Sequence, residues 1–71
     1  MRLEEKLRRR AFALLRQIPR EKRGKGWTLV SQINELANLT KDSFLDEFKR
    51  VSYREEIISL LEELEELLLK N

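Results

Sequence analysis

Apolar residues recur along this chain at intervals of three and four, the spacing that gathers them on one side of an α-helix. Leu3, Leu7, Ala11, Leu14 and Ile18 form the first such stripe, and Arg2, Lys6, Arg9, Ala13 and Arg16 share the opposite face. The pattern predicts a helix over about 2–17, ended by Pro19, because a proline disfavours helical geometry at the residue before it. Leu29, Val30, Ile33, Leu36 and Ala37 make a second stripe, with Thr28 as the N-cap, over about 28–38. Phe44, Leu45, Phe48 and Val51 make a third over about 42–51, capped by Thr40 or Asp42 and supported by a pair from Asp46 to Arg50. The fourth opens on Ser52-Tyr53-Arg54-Glu55. This is a capping-box spacing, in which the serine hydroxyl and the glutamate three residues on satisfy backbone donors reciprocally. Tyr53, Ile57, Leu60, Leu61, Leu64, Leu67 and Leu68 then carry a wide apolar band over about 53–70.

Between the first two helices runs Arg20-Glu21-Lys22-Arg23-Gly24-Lys25-Gly26-Trp27. Pro19 and the two glycines mark 19–26 as a basic loop. No stretch alternates with the period of a strand. The expectation is an all-α fold, one small domain spanning 1–71, with four short helices packed as a bundle or orthogonally.

Composition narrows the chemistry. The chain has 71 residues and neither cysteine nor histidine, which removes disulfides, thiolate metal sites and the commonest general base. The glutamate pairs at 62/63 and 65/66 fall on a solvated helix face, without the burial that shifts a catalytic carboxylate. No serine has a histidine to activate it. Gly24-Lys25-Gly26 lacks the spacing, the preceding strand and the following Ser/Thr of a phosphate loop. The chain is therefore expected to be no enzyme and to need no metal, cofactor or small-molecule substrate. Its longest apolar run, Ala11–Leu15, is five residues, far short of the roughly 20 that cross a membrane, so a cytoplasmic, membrane-free protein is expected.

Charge supplies the functional candidate. Net charge is only +2, yet residues 1–26 carry ten Lys/Arg against three Glu, and residues 27–71 carry five against ten Asp/Glu. Arg2, Lys6, Arg9 and Arg16 on the first helix, continued by Arg20, Lys22, Arg23 and Lys25, form an array of cations that suits an acidic partner, nucleic acid foremost. Trp27 either stacks on a base or anchors the core, and the core is the expected place for a lone tryptophan in a small domain. The polar positions of 31–38 suggest a DNA-reading helix, but Glu35, Asp42, Asp46 and Glu47 around them oppose it. The alternative to nucleic acid is a protein–protein or homodimer contact through surplus apolar residues of the last helix: Ile58, Leu60, Leu64, Leu67, Leu68 and Leu69. One point decides whether the basic face is usable, namely whether Glu55, Glu62 and Glu66 cover it.

Overall fold

The computed structural model describes residues 2–69, and these form three α-helices rather than four: α1 (Leu3–Gln17), α2 (Arg23–Leu39) and α3 (Glu47–Leu69). A single 3₁₀ turn at Arg20–Lys22 links α1 to α2, and no strand occurs among the described residues. The fold is all-α.

Two of the expected boundaries are overturned. Segment 19–26 is not a loop, because after the 3₁₀ turn helix α2 starts at Arg23 and runs through both glycines. Gly26 is buried where the end of α1, the start of α2 and the end of α3 converge. A Cβ there would stand 3.0 Å from Ile18 Cδ1, 3.1 Å from Leu15 Cδ1 and 3.6 Å from Leu64 Cδ1. The residue serves close packing, not a turn. The expected third and fourth helices are likewise one continuous helix, so Ser52 lies inside it and caps nothing. The cap is Asp46, whose Oδ1 accepts the Lys49 amide at 2.8 Å while its carbonyl accepts the Arg50 amide. Asp42 instead closes a tight turn by accepting the Phe44 amide. The expected end of the last helix at Lys70 lies outside the described residues.

Side-chain bridges fix the topology. Arg54 reaches Glu4 and Arg10 reaches Glu65, so α1 and α3 run in the same direction. Arg8 reaches Asn34 and Ile18 packs near Gly26, so α2 runs against α1. This is an up-down-up bundle. Its core is Ala11, Leu14, Leu15 and Ile18 from the first helix and its end, Leu29, Val30, Ile33 and Ala37 from the second, and Ile57, Leu61 and Leu64 from the third.

The carbonyl of Thr40, at the end of α2, accepts hydrogen bonds from both Arg2 and Arg50. Two guanidinium groups thereby neutralise the negative end of that helix. Arg50 also donates to the Asp42 carbonyl, which is where its charge goes in place of the expected pair with Asp46. Helix α3 outreaches α1, with 23 residues against 15. Its first turns project past the start of α1 and carry Phe48 at 90% exposure, with Phe44, in the turn just before the helix, at 95%. These two rings and Val51 were expected inside. They lie outside because α2 has already ended at Leu39 and no described element covers them.

Candidate nucleic-acid interface

The basic face of α1 is open. Lys6, Arg9 and Arg16 are exposed, and their side chains make no hydrogen bond or ion pair with a described residue. Of the glutamates that might have covered them, Glu55, Glu62 and Glu66 are exposed on α3 and pair with no described cation either. Among the described residues two ion pairs tie α1 to α3, Arg10 with Glu65 at 3.0 Å and Arg54 with Glu4 at 2.9 Å. Both lie off the Arg9/Arg16 face. The charge asymmetry of the sequence therefore survives folding as an asymmetry of surface.

The eight candidate cations do not form one stripe. Arg2 is committed to the Thr40 carbonyl. Lys22 is half-buried and has a partner of its own. Arg23 donates to the Ile18 carbonyl at 3.1 Å, closing the end of α1, and still borders an open hollow at the surface. Lys25 lies on the far side of α2, in a hollow shared with Leu29, Glu63, Glu66 and Leu67, within the acidic field of α3. Arg20 is exposed on the 3₁₀ turn. What remains free is Lys6, Arg9, Arg16 and Arg20; of these Arg9 and Arg16 border the α1/α2 seam, with Arg23 across it on α2.

Two aromatic rings complete this surface. Trp27 is 55% exposed, not a core anchor. Phe12 meets it edge-to-face at a ring separation of 6.3 Å and an angle of 68°. On one side of the contact is a shallow hollow lined by Arg8, Arg9, Phe12, Ala13 and Arg16, and on the other a hollow lined by Leu15, Arg23, Gly24 and Trp27. Helical spacing explains the grouping: Arg8, Phe12 and Arg16 stand four apart on α1, as do Arg23 and Trp27 on α2. Phe12 was not among the expected site residues, yet this i,i+4 placement between arginines was readable as a signal in the sequence.

The floor of the seam is held by a polar network. Arg8 donates to Glu5 Oε2 at 2.8 Å and to Asn34 Oδ1 at 3.2 Å, and Lys41 reaches Glu5 Oε1 at 3.4 Å. The hydrogen bond from Arg8 draws the Glu5 carboxyl below its ordinary range. Partial burial opposes this, and the hydrogen bond and charge of Lys41 add to it. Glu5 is thus neutralised by its own neighbours and does not cancel the charge of Arg9 and Arg16.

The leucine band of α3 is mostly spent inside the chain. Leu64 is fully buried, and Leu60, Leu67 and Leu68 pack against the core, leaving Ile58 and Leu69 exposed. Among the described residues no group of acidic side chains could hold a metal ion, and no helix is long and apolar enough to cross a membrane. No family model matches the chain, and no curated protein or solved structure is measurably similar to it.

Proposed function

We propose that this chain is a non-enzymatic nucleic-acid-binding module that grips phosphates with Arg9 and Arg16 at the α1/α2 seam and with Lys6 and Arg20 on the surface around it. The observation that carries the reading is the open pair Arg9 and Arg16 beside the contact between half-buried Phe12 and exposed Trp27. Cations that meet no carboxylate of their own are free to release counterions from a polyanion, and that release dominates such binding. An acidic protein partner would use the same charges but has less need of the aromatic pair. The acidic outer side of α3 favours approach from the α1/α2 side alone.

Salt decides the reading. The logarithm of the binding constant should fall with the logarithm of salt by roughly 0.7 to 0.9 per phosphate neutralised, so four cations predict a slope of about −3. A labelled oligonucleotide titrated by anisotropy at several salt concentrations measures it. Arg9→Glu/Arg16→Glu should weaken binding by more than about tenfold at low salt, with helicity and melting unchanged, since neither side chain holds the fold. No binding at low salt, or binding indifferent to both salt and this double variant, would overturn the proposal.

A further inference from the structure

We infer that the nucleic acid taken by the α1/α2 seam is single-stranded, with a base stacked on Trp27 and its flanking phosphates on Arg16 and Arg23. The inference rests on the nucleic-acid reading above and deepens it.

Three observations converge. The indole is the chain's only one and stands more than half in solvent, although Leu15 and Phe12 lie beside it and a small domain gains much by burying so large a ring. Phe12 meets it edge-to-face at 68° and 6.3 Å, and Leu15, Arg23 and Gly24 line the hollow beside it. A half-exposed indole packed against a second ring offers a face on which a base can stack. Arginines border it on two sides, Arg16 beside Phe12 and Arg23 beside Trp27, within hollows that the ring contact joins.

That alternation of cation, aromatic and cation matches a strand whose phosphates and bases are both available. In a duplex the base faces are stacked on one another, so a duplex would engage the arginines and leave Trp27 without a partner. A single strand engages all of them. The acid-flanked position of Lys25 confines the path further. Beyond Gly24 and toward α3 the surface turns negative at Glu63 and Glu66, so a strand is held to the seam.

The lone tryptophan makes the test direct. Single-stranded oligothymidylate and oligouridylate of one length, and a duplex of the same length, are titrated at low salt, following Trp27 fluorescence and the anisotropy of the labelled nucleic acid. The single strands should quench Trp27 and bind at least about tenfold tighter than the duplex. Trp27→Ala should cost the single strands about 5- to 100-fold in affinity and leave the duplex unaffected, and Trp27→Phe should recover part of the loss. Circular dichroism melting checks that both variants fold. Equal affinity for single strand and duplex, or a Trp27→Ala variant that binds single strands normally, overturns the stacking inference and leaves the phosphate reading standing. Failure of every nucleic acid to bind at low salt removes both.

Discussion

Burying a carboxylate costs hydration, and Glu4, at 4% exposure on the inner side of α1, bears that cost. Arg54 offsets it by donating from Nε at 3.1 Å and from Nη2 at 2.9 Å to the same oxygen, Oε1. Burial alone would push the Glu4 carboxyl up. Its hydrogen bond to backbone, the Arg54 hydrogen bond, and the charges of Arg54 and Arg2 together draw it below the ordinary value of 4.5. A carboxyl that is more acidic in the folded chain than in the unfolded one stabilises the fold fully above its unfolded value. That contribution is lost as the pH falls through the lower, folded value. Glu4→Gln keeps the shape but replaces charge-assisted hydrogen bonds by neutral ones, which should cost about 1–2 kcal/mol at neutral pH. Urea denaturation of both proteins should show this gap near neutrality and its closure in acid, below about 4.5. A gap that persists unchanged in acid would mean that the ionised carboxylate is not its source.

At the scale of elements, the apolar stripes placed the helices well and the punctuation placed their ends poorly. Ala11, Leu14 and Ile18, then Val30, Ile33 and Ala37, then Ile57, Leu61 and Leu64 were legible as core because each set has helical spacing. The serine-to-glutamate spacing at Ser52 was misleading because a capping box needs a chain that enters from a non-helical residue. From Glu47 onward the backbone is already helical, so its amides have internal acceptors. The glycines were misleading for a different reason. Gly26 is present because three helices converge on it, a tertiary fact that no local pattern carries. Nothing in the structure explains Gly24, whose Cβ position is open. The two versions of α3 differ measurably. Asp46→Ala should cost about 1 kcal/mol, the usual worth of an N-cap, whereas Ser52→Ala should be neutral or gain a few tenths through helix propensity. Thermal or urea denaturation distinguishes them, and a Ser52→Ala variant that loses as much as Asp46→Ala would restore a helix break at that position.

For the molecule as a whole, what the sequence could not convey is which cations remain free, because that depends on which carboxylate each meets after folding. Arg2, Arg8, Arg10 and Arg54 look no different in composition from Arg9 and Arg16, yet the first four are engaged by Thr40, Glu5, Glu65 and Glu4. Trp27 was misplaced for a related reason: the core closes with Ile18, Ile33, Ile57 and Leu64, and the converging helices at Gly26 leave no room for an indole. Folding thus sorts the charge into an open basic seam on α1/α2 and an acidic side on α3 where Glu55, Glu62 and Glu66 meet no described cation.

The two faces are close enough to influence one another, and the range of that influence is calculable. The short dimensions of the folded chain are 18 and 16 Å. At about 0.01 M salt the Debye length is roughly 30 Å, so Glu62 and Glu66 repel a polyanion arriving at the seam across the width of the molecule. At about 0.15 M it is roughly 8 Å, and the same charges are screened. Glu62→Gln/Glu66→Gln, at exposed positions without described partners, should therefore leave stability unchanged and raise the association rate for an oligonucleotide at the lower salt. At the higher salt it should have almost no effect. Arg9→Gln, by contrast, removes a direct contact and should weaken binding at both. Stopped-flow mixing under the two conditions separates long-range steering from contact. If the glutamate variant acted as strongly at 0.15 M as at low salt, the strand would have to lie against α3, and the assignment of the seam as the binding face would fail.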